Sequence, residues 1–377
     1  MGNTKMNSKE RVLTSLSLKK PDRVPIFVTL APGMASKLAA HLGGFDATPV
    51  DSLLSNRLSY TEMLLELGND VVAIGPCYPP NTIKTHPNGT FTNEWGIKYK
   101  RVKPSEGIVH IEMVEHPLSN IRSEKDLAKY KFPDPYASHR YDLAQEMVRK
   151  YKQKYAIIGV IECTILELSW YLVGMEKFFR DLLLKRPYIF KLMDEVMAYN
   201  IEVGKELIRL GANIVWTGDD YGTQKGMMIS PKLWRDHFKP RMEKVYKEFK
   251  KTNPKVKIAH HSCGSIRPII GEMIEIGVEV LNPIQPRAAE MDPKSLKEEF
   301  GSSLAFFGGI DQQQVMPRGQ VEDIWEEVKL RITQLGGGGG YLLAPAHDIQ
   351  ADVPVENVLA LFEAVKQVGR YNLTFSG

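Results

Sequence analysis

In the stretch KIAHHSCGSIRPII, residues 257–270, His261 and Cys263 stand two positions apart, directly after an apolar run and just before Gly264. At a turn, that spacing brings an imidazole nitrogen and a thiolate toward one cation, and the nitrogen–sulfur pairing suits zinc better than magnesium or calcium. The same residues also suit a buried turn, with the thiol as a small filler and the imidazole bonded to backbone. Convergence of further donors on the same place separates the two readings. His260 faces the other side of an extended strand and is expected to support or pack rather than to ligate.

Four other residues carry matching chemistry: Glu162, Asp219, Asp220 and His347, each just past a short apolar run. Zinc catalysis uses three or four nitrogen, sulfur or oxygen ligands with one position displaceable. His261, Cys263 and His347 supply three, and Glu162 a fourth that yields to substrate. The pair Asp219-Asp220 in WTGDDYG fits a general acid, a substrate clamp or a partner orienting a metal-bound histidine. Its plainer reading is one helix cap and one solvated acid, but paired acids at such a place are costly without a cationic or protic neighbour. Asp219, Asp220 and Glu162 are therefore the expected catalytic acids. Trp170, Trp216, Tyr221 and Phe307 are expected to line a donor pocket, packing being the competing role, while Cys77 and Cys163 read as buried fillers.

These residues have to be positioned by regular elements. Eight short runs rich in β-branched residues recur, at residues 24–30, 71–75, 155–161, 213–218, 256–261, 278–282, 304–309 and 341–345. Continuous apolarity of this kind marks strands covered on both faces, as in parallel sheets. Amphipathic helical patterns that stop at glycines, such as VEDIWEEVKLRITQLG, lie between most of them. The alternation predicts a (β/α)8 TIM barrel in a single domain over residues 1–377, in preference to a doubly wound sheet. In a barrel the carboxyl ends of the strands share one rim, where Glu162, Asp219, Asp220, His261, Cys263 and His347 would meet. Residues 79–136 break the rhythm and alternate like antiparallel strands, which predicts a β-rich insertion over that rim. The run of five glycines, 336–340, reads as a helix-to-strand turn; it lacks the Lys-Ser/Thr partner of a phosphate loop.

Composition narrows the class. The chain has 377 residues, 43% hydrophobic and 25% charged, with a formal net charge of +4, which describes an ordinary globular protein. No apolar run reaches the roughly 18 residues of a membrane span, and the polar start MGNTKMNSKERV lacks the apolar middle of a secretory signal. Three cysteines do not build a disulfide framework, so a reducing cytoplasm is expected. The basic residues are scattered and imply no nucleic-acid partner.

At these same motifs the chain resembles the uroporphyrinogen decarboxylase superfamily, nearly end to end: KERVLTSLSLKKPDRVPI, TILELSWYLVGMEKF, GDDYGTQKGMMISPKLWRDHFKPRM, HHSCGSIRPIIGEMIEIGVEVLNPIQP, FFGGIDQQQVMP and LAPAHDIQADVPVENVLAL. The resemblance implies a (β/α)8 barrel. True decarboxylases of that superfamily carry an arginine-rich segment after the first strand to hold the carboxylates of the substrate; here FVTLAPGMASKL has no arginine, and Lys37 alone is a poor replacement. The other branch, zinc-dependent methyltransferases of corrinoid pathways, resembles this chain through its His-x-Cys pair, matched by His261 and Cys263, with a distant cysteine on the last strand. His347 stands in place of that cysteine. Replacing a thiolate by imidazole leaves a stronger Lewis acid, suited to an ether oxygen as leaving group.

The expectation is a zinc-dependent methyltransferase that moves a methyl group from a small donor, such as an aryl methyl ether, to the cobalt of a corrinoid. The chain has no Asp-x-His-x-x-Gly pattern, so the corrinoid arrives on a partner protein. Three alternatives stay open: transfer from a methylcorrinoid to a thiol or folate, uroporphyrinogen decarboxylation, and a non-catalytic metal- or ligand-binding barrel. Barrels of this kind commonly pair, so a homodimer is compatible with the sequence.

Overall fold

The computed structural model describes residues 5–50, 57–102 and 110–370. The first residues of the MGNT start and the middle of the predicted insertion, 103–109, lie outside the described residues. The strands in chain order are β1 (Val71–Ile74), β2 (Lys84–Thr85), β3 (Thr90–Thr92), β4 (Lys98–Val102), β5 (His110–Glu115), β6 (Ala156–Ile161), β7 (Ile214–Gly218), β8 (Gly222–Thr223), β9 (Gly226–Met227), β10 (Lys257–His261), β11 (Val280–Ile284), β12 (Ala305–Ile310) and β13 (Tyr341–Pro345).

Seven of them form one parallel sheet in the order β1-β6-β7-β10-β11-β12-β13. Spatial order follows chain order throughout, so each crossover moves to the next neighbour, and helices such as Pro187–Leu210 and Val321–Leu335 make the return journeys. These strands are buried on both faces, which is why their sequences show no polar alternation.

The sheet is curled. Trp216 on β7 and Phe307 on β12 are three strand spacings apart, about 14 Å in a flat sheet, yet their ring centroids are 5.0 Å apart. They share an inner cluster with Phe27, Val71, Ile158 and Ala259, while the larger cluster lies outside, between sheet and helices.

Residues 24–30, expected as a regular strand, are a correction. They make only isolated parallel bridges, Ile26 with Leu343 and Leu30 with Ile349. Side chains explain why. The Ile26 N–H donates to Asp70 Oδ2 at 3.0 Å and the Val28 N–H to Asn69 Oδ1 at 2.9 Å, so carboxylate and amide oxygens take the donors that a backbone ladder toward β1 would use. Asp70 also binds Arg11 at 2.7 Å and Arg23 at 2.8 Å.

Between β1 and β6 the chain builds a four-stranded antiparallel sheet, β2-β3-β4-β5. Trp95, fully buried beside it, packs edge-on against Tyr199 with centroids 4.7 Å apart, and Tyr130 donates to its carbonyl. Arg140 grips Glu94 through two bonds of 2.7 Å each. Among the described residues, no helix is long and apolar enough to cross a membrane.

Candidate metal centre

The carboxyl ends of parallel strands face one way, and register decides which side chains meet there. Gly218 on β7, His261 on β10 and Asn282 on β11 are direct partners across the sheet. A Cβ on Gly218 would stand 3.0 Å from the Cβ of His261, so the glycine leaves the imidazole its space. His261 Nδ1 is 2.6 Å from Asn282 Oδ1, and Asn282 Nδ2 donates to the Phe307 carbonyl at 3.2 Å. A carbonyl can only accept, which fixes the amide nitrogen on that side and turns its oxygen to the ring. His261 therefore donates from Nδ1 and keeps the Nε2 lone pair for the site. Nε2 lies 3.4 Å from Cys263 Sγ and 3.6 Å from Asp220 Oδ1. The Cys263 N–H donates to that same Asp220 oxygen at 2.7 Å.

Two turns hold Cys263 and Asp220 together. The β8–β9 hairpin follows Asp220, and its Gly222 lies flat against the turn at Gly264. A Cβ on Gly264, whose φ is +78°, would be 2.6 Å from Thr223 N, and the Ser265 N–H donates to Thr223 O at 2.8 Å. Gln285 joins a third loop to both, accepting from Gln224 Nε2 at 2.6 Å and from the Gly264 N–H at 3.1 Å.

The other predicted residues surround this core in different ways. His347 is exposed, with its ring centroid 6.4 Å from that of His261. It lies beside the donor group, whose three members Asp220, His261 and Cys263 have ligand atoms within 4.8 Å of one another. Glu162 pairs with Arg57, whose guanidinium carbon sits 3.8 Å over the Trp216 ring. Arg57 Nε is also 3.8 Å from Asp348. Asp348, despite burial that acts to raise it, is held below the usual carboxylate range by Arg57. Trp216 and Phe307 belong to the inner aromatic cluster below the site.

Asp219 is wholly buried and accepts from the N–H groups of Ile165, at 2.9 Å, and Glu167, at 3.0 Å. It thereby tethers the start of the helix Leu166–Val173 to the end of β7; burial pushes it up to about 7 against these donors, which act to lower it. Tyr221 has no exposed surface, donates to Asp219 at 3.3 Å and stacks on His260 with centroids 5.9 Å apart. His260 faces the helices, near Thr217 Oγ1 at 3.1 Å and Tyr246 OH at 3.0 Å. Trp170 is half-buried beside Tyr171.

Three residues of the site have no role assigned from the sequence. Arg57 sits in the polar stretch SNRLSY, which carries no pattern. Glu167 lies inside a helical pattern; its carboxyl, bonded by Tyr171 OH at 3.0 Å, is raised well above its ordinary value by burial, then by Asp220 and Asp219. Asn282 left one signal, a polar residue inside the apolar run VEVLNPI.

The donor set fits zinc. Tetrahedral ligands at roughly 2.0–2.3 Å from the ion stand ~3.3–3.8 Å apart, and the Nε2···Sγ and Nε2···Oδ1 separations are 3.4 and 3.6 Å. Burial pushes the Cys263 thiol well up, Asp220 adding to the effect, and holds His261 far below its ordinary range, with Arg57 second. Both directions favour a neutral imidazole beside a protonated thiol. A divalent cation held by these three residues would have to displace the thiol proton.

Residues 109–368 match the uroporphyrinogen decarboxylase (URO-D) family. The chain belongs to that family. A uroporphyrinogen decarboxylase of Legionella pneumophila (strain Lens) is 27% identical over 184 residues, which are 48% of each chain, so this chain spans about half the length of the curated relative it matches. Among solved structures, a methyltransferase from Methanosarcina mazei aligns with a TM-score of 0.71 at 20% identity, covering 96% of this chain and 99% of the other. That likeness establishes a shared fold across almost the whole URO-D chain described here.

Proposed function

We propose that this URO-D family protein is a zinc-dependent methyltransferase, taking a methyl group from a small donor such as an aryl methyl ether and passing it to the cobalt of a corrinoid carried by a partner protein. One observation carries the reading: His261 Nε2, Cys263 Sγ and Asp220 Oδ1 converge, with the first two 3.4 Å apart, at the carboxyl ends of strands that share their fold with a methyltransferase. His261, Cys263 and Asp220 would hold the zinc, with His347 turning in from its nearby exposed position as the fourth donor. The bound ion supplies Lewis acidity at the leaving oxygen of the methyl donor.

The remaining roles belong to the chain itself. Arg57, stacked on Trp216, holds Glu162 at the edge of the site and adds positive charge near the departing oxygen. Asp219 acts through the helix start it tethers, which places Glu167 beside Asp220. Glu167 carries the proton for that oxygen, with Tyr171 OH bonded to one carboxyl oxygen at 3.0 Å. Trp170, half-buried beside Tyr171, would line the donor pocket, while Trp216 lies beneath Arg57 and supports it from the inner cluster.

The name of the Legionella relative favours decarboxylation as a second reading. Against it stands the arginine-free segment of residues 27–38, whose one cation, Lys37, is bonded to the Ala351 carbonyl at 2.5 Å. The test combines purified protein, zinc, a reduced corrinoid protein and a panel of methoxylated aromatics, and follows methylcobalt absorbance. Metal analysis of wild type, His261→Ala and His347→Ala runs alongside. Methylcobalt formation that both substitutions abolish, together with bound zinc, supports the reading. Methylation of no donor, or carbon dioxide release by metal-free protein, refutes it. Demethylation of a methylcorrinoid that depends on a thiol or folate acceptor would reverse the direction of transfer. Zinc lost without loss of turnover would make the ion structural.

A further inference from the structure

The donor group is useful to a cation only if His261 presents a lone pair rather than a proton at Nε2. A free imidazole favours neither nitrogen strongly enough to guarantee that. Three strands supply the guarantee here. His261 on β10 and Asn282 on β11 are register partners, Oδ1 of the amide lies 2.6 Å from Nδ1 of the ring, and Nδ2 is committed to the Phe307 carbonyl on β12. Asn282 is 3% exposed and His261 6%, so little water competes for either contact. Neither partner can reverse. Flipping the amide would set Nδ2 against the ring and Oδ1 against a carbonyl oxygen, two acceptors face to face.

The geometry points to Asn282 as a positioning residue that locks His261 in the Nδ1–H tautomer and aims Nε2 at Cys263 and Asp220. It touches neither cation nor substrate and acts through the ring. Its value for metal affinity rests on the zinc reading above, whereas its effect on the tautomer does not. An outer partner of this type is worth about 10- to 100-fold in metal affinity.

Two measurements separate these claims. In metal-free protein labelled with 15N-histidine, two-bond nitrogen–proton correlations report the tautomer, and His261 is assigned from its absence in His261→Gln. Wild type and Asn282→Asp, which keeps the acceptor, should both show Nδ1–H. Asn282→Leu should shift His261 to Nε2–H or to a mixture. Zinc competition against a chelator should show about 10- to 100-fold weaker binding for Asn282→Leu and recovery of most of the loss in Asn282→Asp. Thermal unfolding checks that each variant folds; should leucine fail, Asn282→Ser, too short to reach the ring, takes its place. An unchanged Nδ1–H tautomer in the variant lacking the acceptor overturns the proposal. If wild type binds no zinc, the metal reading fails while the tautomer measurement still decides the role of Asn282.

Discussion

Gly264→Ala tests whether the donor group depends on backbone interlocking. Gly264 has φ of +78°, and an added Cβ would lie 2.6 Å from both Thr223 N and Thr223 O and 2.7 Å from Gly222 C. All three neighbours are backbone atoms, so no side chain can swing aside. Alanine in the left-handed region costs about 1–2 kcal/mol, and forcing a methyl into packed structure costs about 1–3 kcal/mol more. A loss of about 2–5 kcal/mol is therefore expected. Relieving the overlap to ordinary contact at 3.4 Å requires a movement of about 0.8 Å, whereas metal–ligand distances tolerate about 0.2 Å. The movement falls between the hairpin that follows Asp220 and the turn that carries Cys263, so zinc affinity should drop along with stability. Urea unfolding of the metal-free protein and chelator competition measure the two effects. Gly271→Ala is the control, since nothing lies within 4 Å of that added Cβ; in the helix Ile270–Glu275 it should stabilise by about 0.5–1 kcal/mol. If Gly264→Ala costs less than about 0.5 kcal/mol, the level of an ordinary surface change, or leaves zinc binding intact, the interlock does not position the site.

Three further outcomes follow from the same geometry. Asp219→Ala strands the N–H groups of Ile165 and Glu167 in a buried place and should cost about 2–6 kcal/mol by urea unfolding, each orphaned donor costing about 1–3 kcal/mol; a cost under about 0.5 kcal/mol would show that those bonds do not hold the helix start. Arg57→Met removes the guanidinium that pairs with Glu162 and lies 3.8 Å from Asp348, and should destabilise by about 3–5 kcal/mol, as breaking a buried pair does; an unchanged unfolding midpoint would show that the arginine serves no structural end. Glu279 lies between Lys250 at 2.6 Å and Lys257 at 2.9 Å; burial acts to raise it, but the two lysines hold it below its ordinary 4.5. A depressed folded value means that the folded state binds fewer protons than the unfolded chain, so the stabilisation is present above pH 4.5 and is lost as pH falls through the folded value. Glu279→Gln should be destabilising at pH 7 and close to neutral near pH 2, and equal losses at both would contradict the assignment.

The sequence by itself determined the parallel core. Near-continuous apolar runs suit strands covered on both faces, and seven of the eight runs are strands of one sheet. It also placed His261 and Cys263 together, because two residues apart at one strand end is a local relation that no packing can undo. Tertiary structure decided everything that depends on distance across the chain. Residues 24–30 have the composition of a strand, but Asp70 and Asn69 side chains take their donors, a competition invisible until the two segments meet. Asp219 and Asp220 are neighbours in sequence with opposite fates: one is buried against the N–H groups of a helix start, and the other sits 3.6 Å from His261 Nε2. Successive side chains at a strand end point to different sides, and only the packed neighbours reveal which side faces His261 and Cys263. Arg57 and Asn282 owe their place to contacts with residues more than twenty positions away, and no local pattern encodes such a meeting.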